Sequence, residues 1–336
     1  MKRCLISLIA GCLVLVGGCS FGPRVEFVRG DNKIDVMIGG KHFTSYLYGG
    51  KHYKLVEGAD ERDYGFLAKP VLFPIHTPSG IVVNRSYPLA EVKSEEKDHP
   101  HQVGIFFTCD KVNGSGFWNN TTSSPQIKHV KVTKMTAGAG KGELSTIMHW
   151  VGKNGQVLLE EKRNMVFLAG EKEYAIDFGI DLTAQDTKVV FKDTKEGMFA
   201  IRVADWLRED GGTGKYLSSE GDRSPVNENI WGKRAQWVRL QGEKNGKIIG
   251  IAIFNHPASV HYPTYWHARP YGLFSANPLG KYDFEKKRNP EGATPLNFTL
   301  ELGETAHFRF RMTIYEGDRT KEQIEERFQD FAEPLH

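Results

Sequence analysis

Two histidines and a carboxylate stand directly ahead of an apolar run in the middle of the chain. The segment Asp98-His-Pro-His101 is followed by the apolar residues 103–107. In extended backbone, residues two apart point to one face, and Pro100 favours extended backbone at His99, so both imidazoles are expected on that face. Imidazoles act as general acids or bases near neutral pH, and they also bind metals. The pattern predicts an active site at the mouth of a core strand. The alternative is a polar loop whose histidines only form hydrogen bonds.

A second cluster of polar and aromatic residues, 255–278, follows the apolar strand 248–254. It contains three of the twelve histidines: His256, His261 and His267. In an extended segment, His267, Arg269 and Tyr271 share one face. Arginine holds a carboxylate or a developing oxyanion, and aromatic rings pack on the apolar face of a sugar. The cluster therefore predicts a carbohydrate site that the two strand ends form together. The alternative is a buried aromatic loop with hydrogen-bonded histidines.

A third segment, residues 193–204, places Glu196 before a glycine and a strand, at the rim of a sheet. Its alternative role is that of a turn carboxylate paired with Arg202 or Lys195. A carboxylate joined to two histidines also satisfies a non-haem metal triad. The HExxH and paired CxxC metal motifs are absent from the sequence, so a divalent metal is a possibility that rests on these residues alone.

These segments assign roles to eleven residues. The predicted catalytic residues are His101 and His267 as acid and base, Glu196 as a second carboxylate, and Arg269 as an anion clamp. The predicted substrate-binding residues are His99, Trp118, Arg202, His256, Trp266, Tyr271 and Asn277. The residues that would hold a metal, if one binds, are His99, His101, Glu196 and His267.

The N-terminus has the pattern of a lipoprotein signal. Lys2 and Arg3 precede an apolar stretch, residues 5–16, that is too short for a stable membrane span. Small residues then lead to Cys19, which predicts cleavage after residue 18 and lipidation of the Cys19 thiol. An ordinary signal peptide is the alternative. We therefore expect a protein of the cell envelope, held by lipid at the outer membrane or facing the periplasm, with a tether over residues 19–30.

Composition narrows the class of partner. Without Lys2 and Arg3 the chain has 42 basic and 41 acidic residues, and no basic run suggests nucleic acid. With Cys4 and Cys12 in the signal and Cys19 lipidated, Cys109 remains alone, so no internal disulfide is available. Stability must come from buried apolar area, which a chain of this length supplies. The expected partner is a carbohydrate or a small molecule derived from a glycan.

Most of the chain has strand patterning. Apolar and polar residues alternate strictly over 174–182 and over 307–314, the pattern of half-buried strands. Thr320 and Gln323 form a capping box ahead of an apolar stripe, which predicts one C-terminal helix. Residues 210–229 are expected to be a long surface loop. We predict an all-β fold, a large antiparallel β-sandwich (a supersandwich) that forms a single domain over residues 31–336.

Five motifs occur in a fixed order: Pro74-Ile-His-Thr-Pro-Ser-Gly80, Asp98-His-Pro-His101, Val112-Asn-Gly-Ser-Gly-Phe-Trp118, Asp193-Thr-Lys-Glu-Gly197, and Asn255-His-Pro with Trp266-His-Ala-Arg-Pro-Tyr-Gly272. In this combination the chain resembles, over most of residues 40–315, a bacterial domain-of-unknown-function family. Its members are catalogued as "PmoA family" or "methane oxygenase PmoA" proteins. The resemblance implies a role beside polysaccharide degradation, and the family label implies a metal-dependent oxygenase. A membrane monooxygenase subunit needs several apolar spans of about twenty residues, and none follows the signal.

Three hypotheses follow. The first is a lipoprotein enzyme that acts on a carbohydrate by hydrolysis, elimination or epimerisation. The second is a glycan-binding lipoprotein without catalysis, and the third is the oxygenase that the family label suggests. Paired histidine strands on a large sandwich are also similar to the galactose mutarotase-like fold, which agrees with a sugar ligand.

Overall fold

The computed structural model describes residues 22–48, 67–120 and 122–333. The first ten strands are β1 Arg24–Arg29, β2 Lys33–Ile38, β3 Lys41–Leu47, β4 Val71–Leu72, β5 Ile105–Cys109, β6 Gln126–Thr136, β7 Gly138–Ala139, β8 Lys141–Val151, β9 Val157–Ala169 and β10 Glu173–Ala184. The next ten are β11 Val189–Phe191, β12 Gly197–Arg202, β13 Lys215–Ser218, β14 Arg234–Ala235, β15 Trp237–Lys244, β16 Lys247–Asn255, β17 Thr264–Ala268, β18 Leu273–Asn277, β19 Phe298–Leu300 and β20 Thr305–Glu316. The α-helices are α1 Val226–Asn229, α2 Lys281–Arg288 and α3 Lys321–Ala332.

The strands form two large antiparallel sheets. The ten-stranded sheet has the order β14-β17-β18-β12-β5-β4-β3-β2-β1-β7. The eight-stranded sheet has the order β13-β15-β16-β20-β10-β9-β8-β6, and β11 pairs with β19 apart from both. The fold is thus the all-β antiparallel sandwich that the alternating sequence pattern predicts.

Aromatic side chains fill the space between the two sheets. Phe199 of β12 stacks on Phe310 of β20, with ring centres 4.8 Å apart and planes 4° from parallel. Phe107 of β5 meets Phe308 of β20 edge to face, with centres 5.5 Å apart. Because side chains alternate along a strand, Phe106 points the other way, to the outer face of the ten-stranded sheet. There it packs in a separate apolar cluster with Trp118.

The C-terminal helix begins as the sequence predicts. The Thr320 side chain accepts a hydrogen bond from the Gln323 backbone, and the Gln323 side chain accepts one from the Thr320 backbone. Ile324 and Phe328 are buried against the outer face of the eight-stranded sheet, in a cluster with Phe254. The apolar stripe therefore docks the helix on the sandwich, as expected from its spacing.

Two expectations about irregular segments need correction. Residues 210–229 are not wholly a loop, because they include β13, which pairs with β15, and the short α1. A helix that the sequence pattern did not predict, α2, lies beside the ten-stranded sheet. Its buried Phe284 stacks on Tyr265 at 5.6 Å and fixes α2 next to β17. Apart from Phe284, α2 is largely polar, so its sequence carries little apolar periodicity.

The N-terminal predictions meet the structure only in part. Strand β1 pairs with β2, so residues 24–29 of the predicted tether belong to the ten-stranded sheet, with Val25 fully buried. The predicted signal peptide, residues 1–18, and the predicted lipidation site Cys19 lie outside the described residues. In the described ranges, no helix has both the length and the apolar character needed to cross a bilayer.

Candidate functional site

A cavity of about 530 Å³ lies on the outer face of the ten-stranded sheet. Seven of the eleven predicted site residues line it: His99, His101, Trp118, Glu196, His267, Arg269 and Tyr271. Four further residues complete the wall: Gln102, Asp110, Asn119 and Lys195. The two distant histidine segments therefore meet in one hollow. Concave sites with a few convergent polar groups are where ligands usually bind.

His99 and His101 reach the cavity from a turn rather than from a strand. The His99 carbonyl accepts a hydrogen bond from the Gln102 backbone at 3.0 Å, and His99 has a φ of 38°. The expectation of extended backbone at His99 was therefore wrong, and Pro100 occupies the second position of a tight turn instead. The turn leads into Gly104, where a Cβ would collide with the Leu72 carbonyl. The segment can approach β4 closely only because Gly104 has no side chain.

Two buried arginines hold this turn in place. Arg85 and Arg202 are both fully buried. The Arg85 guanidinium donates to the carbonyl of Asp98 at 2.6 Å and to that of His99 at 2.8 Å, and it also pairs with the Asp98 carboxylate. Arg202 donates at 2.7 Å to Oδ1 of the Asp98 carboxylate, the oxygen that also pairs with Arg85. These hydrogen bonds and ion pairs fix the backbone carbonyls and the Asp98 carboxylate. They therefore override the extended backbone that Pro100 favours at His99.

The Asp98 carboxylate also orients the His99 ring. His99 Nδ1 donates to Asp98 Oδ2 at 2.7 Å. Burial alone would raise the pKa of Asp98, but the hydrogen bond from His99 and the charges of Arg202 and Arg85 hold that pKa well below its usual range. The His99 ring in turn stacks on Tyr271 at 4.9 Å, and the Arg202 guanidinium lies 4.7 Å from the Tyr271 ring centre. The cavity floor is thus a rigid charged and aromatic layer.

His267 lies on β17 and is almost fully buried, with 2% of its surface exposed. Its Nδ1 donates to the Lys195 carbonyl at 2.8 Å, so in the neutral ring the lone pair belongs to Nε2. Burial, together with the charges of Lys195 and Arg269, lowers the pKa of His267 to about 3. The ring is neutral at pH 7 and can accept a proton or a hydrogen bond at Nε2.

His101 has a similar electrostatic environment. Burial first, and then the charges of Lys69 and His99, lower its pKa to about 3. Lys69 is itself fully buried, and its ammonium donates to the Trp118 carbonyl at 2.7 Å and to Asn120 at 3.3 Å. Burial lowers the pKa of Lys69 to about 7. Both imidazoles of the predicted acid–base pair are therefore neutral in the free protein.

Two carboxylates stand across from each other at the ends of β5 and β12. Cys109 pairs with Gly197, and the Asp110 backbone donates to the Glu196 carbonyl at 3.0 Å. Burial, followed by the Glu196 charge, raises the pKa of Asp110. Glu196 also forms an ion pair with Lys195, the partner that one of the sequence interpretations gave it. Of the two carboxylates, Asp110 is therefore the one that holds a proton more strongly than an exposed aspartate does.

Four predicted residues do not line the cavity. Arg202 lies beneath its floor. Asn277 is buried and donates to the carbonyls of Thr194 and Lys195, so it supports the segment that carries Glu196. The placement of Trp266 among the sugar-binding residues is corrected, because it alternates with His267 and points into the core, where Nε1 donates to the Ala235 carbonyl at 3.1 Å.

His256 lies on the other sheet. It follows β16 and lines a groove of about 790 Å³ on the outer face of the eight-stranded sheet. Its Nε2 is 3.3 Å from the Glu333 carbonyl near the end of α3. The histidine cluster 255–278 is therefore divided, because the chain crosses from one sheet to the other between β16 and β17. Closeness in sequence did not place His256 near His267.

The four lining residues absent from the sequence prediction are neighbours of predicted ones. Gln102, Asn119 and Lys195 directly follow or precede His101, Trp118 and Glu196. Asp110 is different, since its position opposite Glu196 depends on the pairing of β5 with β12. Its signal in the sequence is a carboxylate immediately after an apolar strand, whereas Glu196 was identified as a carboxylate immediately before one.

The sequence also matches a known family over most of its length. A family model described as "Family of unknown function (DUF6807)" matches residues 33–329. The chain belongs to this family. No curated protein sequence matches the chain. The family description states no activity, so the oxygenase activity that the resemblance implied stays a prediction.

Solved structures are similar to this family member only at low identity and low TM-score. One is the GH36 α-galactosidase AgaA from Geobacillus stearothermophilus, with 12% identity and a TM-score of 0.34, which covers 91% of this chain and 42% of its own. The chain thus spans less than half of that enzyme. A galactose mutarotase-like protein from Clostridium acetobutylicum has 8% identity and a TM-score of 0.41, covering 89% of this chain and 99% of its own. At such low identities and TM-scores, nothing about activity is transferred.

The four residues named as possible metal ligands do not form a metal site in this family member. Across residues 22–48, 67–120 and 122–333, no three His, Cys, Asp or Glu side chains come close enough to hold an ion. Glu196 forms an ion pair with Lys195, and hydrogen bonds at Nδ1 orient the rings of His267 and His99. Within the described ranges, the spacing of these side chains therefore supplies no set of three ligands for a divalent metal.

Proposed function

We propose that this protein is a carbohydrate-active enzyme of the bacterial cell envelope, anchored through lipid on Cys19. One observation carries the proposal: a single cavity combines two neutral imidazoles, a carboxylate pair, a guanidinium and aromatic side chains. Sugars need acid–base groups for reaction at their carbons and aromatic surface for binding. The gathering of both in one hollow, from segments over a hundred residues apart, supports an active site.

The proposed roles follow from the positions of the titratable groups and from the directions in which their pKa values shift. His101 and His267 are neutral at pH 7, so each accepts a proton as a general base. Asp110, whose pKa is raised beside Glu196, is assigned as the proton donor. Such a set serves hydrolysis, elimination or epimerisation, since each needs one proton removed and one delivered.

The aromatic residues divide their roles. His99 and Arg202 already contact the Tyr271 ring, so Tyr271 contributes mainly its hydroxyl and ring edge. Trp118 packs on Phe106 at 5.5 Å and gives the wall an apolar surface for one face of a sugar ring. Gln102 and Asn119 add amide groups that bind hydroxyls.

Turnover of glycan substrates by the protein without its signal peptide tests the proposal. Plant and host oligosaccharides are incubated with the purified protein, and products are followed by mass spectrometry, ultraviolet absorbance and NMR. Hydrolysis adds water across the cleaved bond, elimination creates a double bond that absorbs, and epimerisation leaves the mass unchanged. Turnover that disappears in His267→Ala supports the proposal. A panel on which neither binding nor turnover is seen contradicts it.

A second candidate is a glycan-binding protein without catalysis. The observation that favours it is the pKa of about 3 for both imidazoles, which makes each a weak base in the free protein. Under this alternative, the double variant His101→Ala, His267→Ala keeps its affinity for a bound glycan, and the wild type shows no turnover with any glycan that it binds.

A further inference from the structure

Arg269 differs from the other arginines around the cavity. It follows β17 and lines the cavity wall. In the part of the chain that the structure describes, no hydrogen bond or ion pair engages its guanidinium, and its buried Nε has no partner. The guanidinium carbon lies 5.6 Å from the centre of the Tyr271 ring. A buried donor without an acceptor costs free energy unless a ligand supplies one.

Beneath the cavity, two buried guanidinium groups form ion pairs with one carboxylate. Arg85 and Arg202 share the single carboxylate of Asp98. Lys69 donates to neutral acceptors, and within the described ranges no carboxylate pairs with it. On the wall, the Lys195 ammonium is taken by Glu196. Among the described residues that line the cavity, Arg269 is therefore the cation whose charge is left for a ligand.

The positive charges around the cavity also lower the pKa values of the two imidazoles, His101 and His267. Lys69, His99, Arg85 and Arg202 contribute to the lowered pKa of His101, and Lys195 and Arg269 to that of His267. In both cases burial is the larger cause. An anion bound among these cations would offset their field and raise both pKa values toward neutrality, where a general base works best. An anionic substrate would thus complete the acid–base site.

We propose that the cavity binds an acidic sugar, a uronic acid residue whose carboxylate is held by the Arg269 guanidinium. This inference rests on the proposed function and names its substrate class. A planar carboxylate with one charge matches a single guanidinium fork. A phosphate monoester fits less well, because near pH 7 it carries more negative charge than a carboxylate and the cavity wall also contains Asp110 and Glu196. A sulfate ester has the same charge as a carboxylate but lacks its planar shape.

Paired ligands that differ only in charge provide the test. Unsulfated oligosaccharides that contain uronic acid, such as oligogalacturonate, alginate oligomers and hyaluronan oligomers, are titrated calorimetrically beside their carboxyl-reduced counterparts. At least one acidic oligosaccharide should bind at least about tenfold more tightly than its neutral counterpart. This preference should shrink as salt is added. Equal or weaker binding of every acidic form overturns the inference.

Variants of Arg269 connect the preference to the residue. Arg269→Gln should reduce the acidic preference about tenfold or more while changing affinity for the neutral counterpart less than threefold. Arg269→Lys, which keeps the charge and loses the fork, should fall between the two. Arg24→Gln, on an exposed residue of β1, is the control with the same change in net charge and should behave as the wild type. A preference that survives in Arg269→Gln contradicts the assignment.

Two further outcomes separate this inference from the proposed function. Binding or turnover of neutral sugars without any acidic preference overturns the acidic-sugar inference and leaves the proposed function standing. Binding of no saccharide, acidic or neutral, removes both. Competition by inorganic phosphate or sulfate at the same concentrations as the uronate would show a general anion site, which also overturns the inference.

Discussion

The two sheets present two hollows that differ in how their charges are paired. In the groove of the eight-stranded sheet, Arg311 Nη2 lies 2.7 Å from Asp177, and Arg309 Nη2 lies 2.8 Å from Asp181. In the cavity of the ten-stranded sheet, the Arg269 guanidinium has no such partner among described residues. The groove is the larger hollow, at about 790 Å³ against about 530 Å³.

This difference shows why size is a poor guide to function here. Charges that neutralise each other on a sheet surface stabilise that surface modestly and leave little for a ligand. Groups that are buried without a full set of partners, or held in an unusual protonation state, are costly to the fold and are concentrated at functional sites. By this criterion we infer that the smaller cavity is the functional site and that the groove is a structural surface.

The largest expected effect separates the histidines of the two hollows. His101→Ala and His267→Ala should each lower turnover about a hundredfold or more, because a general base contributes at least that factor. His256→Ala, in the groove, should change turnover less than threefold. Initial rates on the best glycan substrate measure all three. Loss of activity in His256→Ala equal to that in His267→Ala would remove the distinction between the hollows.

The second largest effect is expected in the free energy of unfolding, when a carboxylate is removed from each of the two hollows. Asp98→Asn leaves two fully buried arginines without their shared anion, at a cost of about 2–3 kcal/mol in the free energy of unfolding. That figure is below the value for a fully buried pair because the Asp98 side chain is 37% exposed. Asp177→Asn, at the partly exposed pair in the groove, should cost about 1 kcal/mol or less. Urea unfolding of both variants is the measurement, and equal losses would contradict the comparison.

A smaller effect concerns pH. The pKa of His267 falls from 6.5 in the unfolded chain to about 3 in the fold, so the unfolded state binds more protons between these values. The contribution of neutral His267 is fully present above pH 6.5 and is lost by about 1.4 kcal/mol for each pH unit below it. His267→Gln should lose stability less steeply than the wild type between about pH 6 and pH 5. Parallel pH profiles would contradict the lowered pKa.

The sequence predicted well what depends on periodicity. Strict alternation placed Phe178 and Ile180 of β10 in the core, and the capping box at Thr320 located the C-terminal helix. The predicted convergence of His101 with His267 also agrees with the structure, because strand ends that carry polar residues tend to meet at the rim of a sheet. These features follow from local spacing and from the two faces of a strand.

The sequence predicted less well what depends on pairing between distant segments. Arg85 reaches the carbonyls of Asp98 and His99 and turns the chain there, and nothing in the local pattern reveals that contact. Likewise, Trp266 and His267 are adjacent in sequence, yet only the register of β17 against β18 assigns one to the core and the other to the cavity. Composition predicted a type of site, which stays a prediction, but it did not predict which of these residues line the cavity.

A structure of the protein with a bound oligosaccharide is the most direct test of the central claim. The ligand is an acidic oligosaccharide chosen from the titrations, and the claim is that the smaller cavity is the site. The account predicts that the sugar occupies the cavity between His101 and His267, with its carboxylate on Arg269. A sugar found instead in the groove beside Phe331 and Arg311, with the cavity empty, would contradict the account.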